Sequence, residues 1–257
     1  MSLSRSLCVA RTTVELLARD PMPSVIMTAM PLIMIALLDP SAKAQLAAQG
    51  YVAVSGAAQN VPGMAVLFAF LSVEQTTTLF YREHAWGTWD RLRASPASTA
   101  DIILGKVGVR LVVQLIQTTC VFGAGAVLFR YRPTGSVCAI ALVMLAFTVM
   151  LVAFAVMLVS VCATMDQANT IGMLGGMVMA GIGGALAPVS SFPRWVGDLA
   201  HCSPAYWTLD ALHRLTLEHA DMLDVAPAIG MILLFAMVFA LVSGLCFRAN
   251  ADKVGTT

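Results

Sequence analysis

Charged side chains within apolar runs are the residues of this sequence best placed to do chemistry. Glu74 lies eight residues before Arg82, so about 12 Å of helix would separate it from the end of its run. Lys106 and Arg110 share one face of the next run, at a comparable depth. A charge held in hydrocarbon is costly and marks an ion pair or a pathway. We predict that Glu74 pairs with Arg110 or Lys106 across the two runs, either as a fixed structural pair or as part of a proton relay.

Motifs for nucleotide, metal or nucleophile chemistry are not found. Gly105-Lys106 lacks the upstream glycine and the following hydroxyl of a phosphate-binding loop. The sequence contains neither H-E-x-x-H nor G-x-S-x-G. His213, Glu218 and His219 are close in sequence, but their spacing puts the two histidines on different helix faces, and we expect solvated loop residues there. We predict no metal site, no cofactor in this chain and no enzyme activity of its own.

A stripe of small residues marks the fifth apolar run. Gly172, Gly176, Ala180 and Gly184 are each four residues apart. Small residues at this spacing let two helix backbones approach closely, which is how helices associate in lipid. The stripe predicts a tight helix contact, and the sequence leaves open whether it lies within one subunit or at a dimer seam.

The elements that position these residues follow from composition. Of 257 residues, 59% are hydrophobic and 11% are charged, whereas soluble domains carry about 25% charged residues. A bilayer accommodates such a surface, and about 20 apolar residues cross it as a helix. We predict an all-α integral membrane protein, a single domain over residues 1–257 with six transmembrane helices. The predicted spans are approximately Met22–Leu38, Val61–Tyr81, Ile103–Phe129, Val137–Val161, Thr170–Val189 and Pro227–Phe247.

Orientation is predicted from the basic residues. An even number of spans puts both termini on one side, and if that side is cytoplasmic it holds ten Lys and Arg residues against five outside. Residues 1–21 place apolar side chains at near-helical spacing and predict an amphipathic helix at the membrane surface, or alternatively an ordinary cytoplasmic cap helix. We predict a multi-pass protein of the plasma membrane (the inner membrane in a bacterium), with both termini cytoplasmic.

Two polar connections interrupt the apolar runs, and we expect function to concentrate in them. Residues 82–102 lie on the inner side and residues 190–226 on the outer side. The first combines helix formers, aromatic residues and mixed charges, and Pro96 favours a break after it. A short amphipathic helix here suits docking in a cleft on another protein. Alternatively, Trp86 and Trp89 hold it passively at the membrane interface.

At these positions the chain resembles the type-2 permease family of ATP-binding-cassette (ABC) exporters. Those permeases carry Arg-Glu, a glycine and Leu-x-x-x-Pro between spans two and three, and the matching residues here are Arg82, Glu83, Gly87, Leu92 and Pro96. A second likeness follows the fifth span. It consists of Pro188, Phe192-Pro193-x-Trp195, Ser203-Pro204-Ala205-Tyr206 and Ala211-Leu212. The likeness follows the whole chain in order.

The resemblance implies partners and roles. It implies two permease copies, identical or related, each bound to a separate ATPase subunit that carries the ATP and Mg²⁺. Glu83 to Pro96, with Arg82 before it and Trp89 within it, would form the coupling helix. Short outer helices would cap the pathway, and the first, second and fifth spans would line the dimer seam. The outer-gate residues would be Phe192, Pro193, Trp195, Pro204 and Tyr206.

The leading hypothesis is export of a hydrophobic or amphipathic molecule by this permease subunit, energised by the partner ATPase. The branch that the chain looks most like is the daunorubicin-resistance-like branch, which handles drugs and lipids. A low aromatic content of 7% and 16 methionines favour an apolar cargo over a polysaccharide. The net charge of +1 implies no nucleic-acid partner, and lipid is the surrounding medium. The alternatives are a stand-alone ion-coupled transporter using Glu74 and a membrane-embedded lipid-modifying enzyme.

Overall fold

The computed structural model describes residues 3–48, 50, 55–85 and 99–246, with the backbone alone for residues 3–6, 82–85, 99 and 100. The regular elements in these ranges are helical, as the sequence predicts. The helices are α1 (Leu3–Arg19), α2 (Met22–Ala48), α3 (Ala57–Leu71), α4 (Val73–Ala85), α5 (Thr99–Leu128), α6 (Val137–Val161), α7 (Met165–Ile182), α8 (Arg194–Ala200), α9 (Pro204–Leu217) and α10 (Ala226–Cys246), with a 3₁₀ turn at Val189–Ser191.

Five helical stretches in the described ranges are long and apolar enough to cross a membrane. They are Met22–Ala48, Ala57–Tyr81, Asp101–Leu128, Val137–Val161 and Ala226–Cys246. Helix α7 is not among them, because Asp166, Gln167 and Asn169 near its start lower its mean hydropathy and its four glycines add little to it. The multi-pass architecture is therefore confirmed with five candidate spans, and a sixth crossing by α7 stays a prediction.

The first span differs from its predicted bounds. We expected it to end near Asp39-Pro40, but α2 continues to Ala48 through Pro40. Ala42 and Leu46 in this extension are buried, and their packing offsets the hydrogen bond that proline removes. Gly56 also lies so close that a Cβ atom there would meet the Asp39 carbonyl oxygen at 2.2 Å. Tertiary packing therefore outweighs the local helix-breaking signal.

The second span is interrupted once. Helix α3 ends at Leu71 and α4 begins at Val73. At the junction the Ser72 N–H donates to the Phe68 carbonyl, and the Ser72 carbonyl accepts from the N–H of Gln75, three residues on, at 3.1 Å. The span therefore consists of two helical segments that meet at a polar residue.

Helices α3 and α4 form the centre of the bundle. Helix α3 contacts α2, α5, α7 and α9, whereas α4 contacts α6 and α7. Phe70 of α3 packs edge-on against Phe147 and Phe154 of α6, at centroid distances of 5.5 and 6.4 Å. Phe154 continues to Phe239 of α10 at 5.2 Å. Helix α1 packs along α5, and its location at a membrane surface stays a prediction.

The small-residue stripe faces the interior of the chain. A Cβ atom at Gly172 would lie 3.1 Å from Leu158, and one at Gly176 would lie 3.0 Å from Phe70. Ala180 is also buried, whereas Gly184 lies beyond the helix with φ +100°, a conformation that favours glycine. The stripe thus makes close contacts within one chain, and the dimer-seam alternative stays a prediction.

Candidate functional site

A buried cation occupies the half of the bundle nearest the α4–α5 connection, which we call the inner end after the predicted orientation. The Arg110 side chain is 1% exposed. Its Nε donates to Thr76 Oγ1 at 3.0 Å, its Nη1 to Gln75 Oε1 at 3.3 Å and its Nη2 to the Ser72 carbonyl at 3.4 Å. The guanidinium group is therefore held by neutral oxygens at the start of α4.

Glu74 does not join this arrangement. Within the described residues it forms no ion pair with Arg110 or Lys106, and its side chain is exposed on another face of α4. Lys106 is buried, with Nζ 4.7 Å from the centroid of the Phe80 ring. The predicted pairing of Glu74 is therefore corrected. Counting residues along the chain estimated its depth, but depth does not determine which way a side chain points around a helix.

Ser72, at the junction before α4, and the polar residues of α4 make hydrogen bonds to helices on both sides. Ser72 Oγ hydrogen-bonds to Gln114 of α5, while Thr77 Oγ1 hydrogen-bonds to Asn169 of α7. The Tyr81 hydroxyl donates to the Cys162 carbonyl at 2.8 Å, beside the α6–α7 junction. We call this set of hydrogen-bonded residues the inner cluster. Its members are Ser72, Gln75, Thr76, Thr77, Tyr81, Arg110, Gln114 and Asn169. Sequence reasoning missed most of it, although three consecutive threonines inside an apolar run (76–78) were a signal.

An inner groove of about 390 Å³ lies beside the cluster, between the end of α1, the start of α2 and α4. Its lining includes Leu17, Asp20, Met27, Glu74 and Gln75. Gln75 Nε2 donates to the Pro23 carbonyl of α2 at 3.1 Å, while its Oε1 accepts from Arg110. One amide therefore joins the buried guanidinium group to the wall of the groove.

A second cavity, the outer chamber, lies at the opposite end of the bundle and has a volume of about 510 Å³. The end of α7, the following 3₁₀ turn, α8, α9 and the start of α3 enclose it. Gln59 of α3 donates from Nε2 to the Gly184 carbonyl at 3.1 Å, and Arg214 pairs with Asp210 at 3.0 Å. Its polar lining residues are Gln59, Ser190, Asp198, His201, Tyr206, Asp210, His213, Arg214 and Glu218.

Close backbone contacts hold α9 against the chamber. Ser203 caps the helix by accepting from the Ala205 N–H at 3.2 Å, and its hydroxyl donates to the Met179 carbonyl of α7 at 2.8 Å. Pro204 occupies the first turn, where proline is tolerated. A Cβ atom at Gly183 would lie 2.7 Å from the Ala205 methyl group, so glycine permits this approach.

The predicted outer-gate residues do not all meet. Tyr206 lines the chamber, with its ring 4.3 Å from that of His201, and Pro204 is buried beside it. Trp195 of α8 is 70% exposed, while Phe192 and Pro193 precede α8 outside the lining of the chamber. The structure thus brings Pro204 and Tyr206 together and leaves the other three residues apart from them.

His213 departs from its expected place in a solvated loop, because it lies within α9, just before the last turn of the helix. Its Nε2 is buried and has no hydrogen-bond partner among the described residues. Burial lowers the pKa of His213 to about 4, so the ring is neutral at physiological pH. Burial, followed by the negative charge of Asp210, raises the pKa of Tyr206. The chamber therefore contains a neutral histidine with unused hydrogen-bonding capacity.

Metal binding finds no ready site in these regions. Over the described ranges, no three His, Cys, Asp or Glu side chains converge as metal ligands would. The groups with chemical potential are instead hydrogen-bond donors, acceptors and carboxylates arranged around two cavities. This arrangement suits binding of a ligand more than bond-making chemistry.

Comparison with known proteins assigns the family. Residues 6–216 match the model of the ABC-2 type transporter family. The chain belongs to that family. The match runs from α1 to the last turn of α9, so the inner cluster and the inner groove lie within the matched residues, and the outer chamber does too except for Leu217 and Glu218.

Curated relatives of this ABC-2 family member are permeases. It is 29% identical over 164 residues to the probable multidrug ABC transporter permease YbhR of Escherichia coli K12 and to the protein of the same name from strain O157:H7. The aligned region covers 63% of this chain and 44% of the relative, so the chain spans less than half the length of these permeases. The likeness supports a transporter subunit and not an enzyme.

The segment expected to couple an ABC-2 permease to its ATPase lies mostly outside the described residues. Arg82 and Glu83 belong to the last turns of α4, of which the backbone is described. Gly87, Trp89, Leu92 and Pro96 lie outside the described ranges. The coupling assignment stays a prediction. The described part of α4 nevertheless connects the beginning of that segment directly to the inner cluster.

Proposed function

We propose that this chain is the permease subunit of an ATP-driven exporter of the drug- and lipid-handling branch, moving a hydrophobic or amphipathic molecule across the plasma membrane. A separate ABC ATPase binds Mg²⁺ and ATP, and two permeases, identical or related, make one complex. The observation that carries the proposal is the family match over residues 6–216. The multidrug designation of the YbhR relatives supports the cargo class.

The architecture of α4 supports a route for mechanical coupling. Its last turns carry Arg82 and Glu83, while its first two turns bind Arg110 of α5 and Asn169 of α7. A displacement of residues 82–96 by the ATPase would therefore pull on hydrogen bonds to two other helices. Coupling carried by such packed networks needs an element with two arrangements, and α4 is the candidate for that element.

A second permease copy has apolar surface available to it. The exposed face of α7 carries Ile171, Leu174 and Val178, and that of α2 carries Ile26 and Ile33. Lipid or a partner helix can cover such faces. We propose that α2 and α7 contribute to the dimer seam, with the buried glycine stripe holding α7 against α6 and the second span of its own chain.

The test is coupling to a co-expressed ATPase in lipid nanodiscs. We expect Glu83→Ala or Gly87→Pro to abolish cargo-stimulated ATP hydrolysis while membrane insertion is unchanged. Asp221→Asn, in the connection before α10, is the matched control and should retain full stimulation. Normal stimulation in both segment variants would remove the coupling assignment.

Ion-coupled transport by the lone chain is the second candidate, and one observation favours it. The Glu74 carboxylate lies in the inner groove with no ion-pair partner among the described residues. Purified chain in liposomes, given a proton gradient and no ATPase, distinguishes the two functions. Cargo uptake under these conditions would favour ion coupling, whereas uptake only with the ATPase and ATP would favour the exporter.

A further inference from the structure

The inner groove combines apolar walls with carboxylates. Leu17 of α1, Met27 of α2 and Leu79 of α4 supply hydrocarbon surface, while Asp20 and Glu74 supply the charges. Its volume of about 390 Å³ falls within the range of small-molecule sites, which are typically apolar with a few placed polar groups. The groove therefore has the form of a site for a molecule with an apolar body and a polar group.

No described residue neutralises the two carboxylates of the groove. Neither Asp20 nor Glu74 forms a hydrogen bond or ion pair through its carboxylate within the described part of the chain. The Arg110 guanidinium group nearby points to three neutral oxygens instead. The described residues that line the groove include two carboxylates and no cation, and their formal charge is −2.

The outer chamber has the same sign of charge. Its lining holds the carboxylates of Asp198, Asp210 and Glu218 and one guanidinium group, that of Arg214. Among the described lining residues, the three carboxylates and the one guanidinium group together have a formal charge of −2. Gln59 lines the chamber and Glu74 lines the groove, fifteen residues further along the same span, so the cavities are about 22 Å apart along the helix. Cavities of one sign concentrate ligands of the opposite sign.

From this geometry we infer that the inner groove binds an amphipathic organic cation, with Glu74 as its counter-ion and the apolar walls as the site of its hydrocarbon part. The inference rests on the proposed function and narrows its cargo class. An anionic amphiphile would be repelled at both cavities. A neutral one would use the apolar walls but gain nothing from the carboxylates.

The experiment compares two dyes that share a xanthene ring system and differ in charge. The wild-type permease is placed in nanodiscs of zwitterionic phosphatidylcholine, and binding of cationic rhodamine 6G and anionic fluorescein is measured by fluorescence anisotropy against empty discs. We expect rhodamine 6G to bind and fluorescein to bind at least tenfold more weakly. Such a ratio of affinities corresponds to the free energy of about one charge-assisted contact.

Substitutions then locate the charge. Glu74→Gln should weaken rhodamine 6G binding by about tenfold, and Asp20→Asn should weaken it less, since a charged contact within a mostly apolar site is the strong one. Glu15→Gln is the matched control on α1. It removes a carboxylate that pairs with Arg11 on the exposed side of the helix, outside the groove, and it should bind as the wild type does.

Two results would overturn the inference. One is equal affinity of the wild type for both dyes, and the other is unchanged rhodamine 6G binding in a folded Glu74→Gln variant. Size-exclusion elution and the unfolding midpoint check folding, and if the variant does not fold the wild-type dye comparison decides alone. ATP-driven export is judged separately by the ATPase assay, so intact cation binding with no ATPase coupling would contradict only the proposed function.

Discussion

The inner cluster and the outer chamber use polar groups in opposite ways. In the cluster, Arg110 directs its donors at oxygens of α4, and Thr77 and Asn169 bind each other. In the chamber, the polar groups border an open volume, and the buried Nε2 of His213 has no partner among the described residues. A satisfied network holds helices in place, whereas unsatisfied groups around a cavity are available to a ligand or to a second conformation.

The contrast assigns different tasks to the two ends of the bundle. The cluster is suited to transmit force between α4, α5 and α7. The chamber is held by backbone approaches, such as those of Gly63 and Gly183, that leave its side chains free to reorganise. Three substitutions test these tasks separately. They change the backbone contacts of the chamber, its histidine and the hydrogen bonds of the inner cluster, and the expected loss of stability decreases in that order.

Gly63→Ala should reduce stability the most, because it disrupts a close backbone contact beside the chamber. A Cβ atom at this position would lie 2.1 Å from the Ala185 carbonyl oxygen, so backbone must move. We expect a loss of about 3 kcal/mol in the free energy of unfolding, measured by detergent titration in mixed micelles. Gly108→Ala is the control. It has open space around the added methyl group and should be neutral or slightly stabilising. Equal stability of the two variants would contradict the close approach.

Acidification should weaken the chamber through His213. Its pKa is about 4 in the folded protein and about 6.5 when unfolded. Because the unfolded state binds the proton first as pH falls, the stabilisation is complete above about pH 6.5 and is lost progressively toward pH 4. We expect about 2 kcal/mol less stability at pH 5 than at pH 7.5.

The histidine variants check this pH dependence in thermal unfolding scans. His213→Gln should reduce the difference between pH 5 and pH 7.5. His219→Asn should leave it unchanged, since His219 is exposed and asparagine tolerates its φ of 52°. A pH profile that is identical in wild type and His213→Gln would show that other groups control it. The other titratable groups around the chamber are Asp198, His201, Tyr206, Asp210, Arg214 and Glu218.

Thr77→Val should have the smallest effect of the three and concerns the inner cluster. The change keeps the side-chain shape, removes the hydrogen bond to Asn169 and leaves a partly buried amide oxygen without that donor. We expect a loss of about 1 to 2 kcal/mol in the free energy of unfolding. Thr119→Val removes an exposed hydroxyl that bonds only within its own helix and should change stability little. A cluster that tolerated both changes equally would not be a rigid link.

Long apolar runs made most of the membrane helices predictable. The bounds of α6 agree with the predicted Val137–Val161, and the candidate spans Asp101–Leu128 and Ala226–Cys246 differ from prediction by a residue or two. Apolar length is a property of the local sequence, so it can be read without knowledge of the neighbours. The family could also be recognised, because the motifs occur in a characteristic order.

The errors arose where neighbours decide the outcome. Helix α2 continues past Pro40 because residues distant in sequence pack on its extension. Glu74 faces the groove and not Arg110, because orientation around a helix axis depends on which helices surround it. His213 was expected in a loop, whereas packing of α9 on the rest of the bundle buries its ring nitrogen. None of these contacts leaves a trace in sequence spacing.

The interruption at Ser72 has a mechanical consequence. A continuous second span would tilt as one rigid helix, so closing the outer chamber would always open the inner groove by a fixed amount. A span that is interrupted near its middle can tilt one of its two helices while the other stays in place. Helix α3 carries Gln59 and Gly63, and helix α4 carries Gln75 and Thr77. Such an interruption would let the inner groove and the outer chamber be closed at the same time, which a transporter requires if it is not to leak.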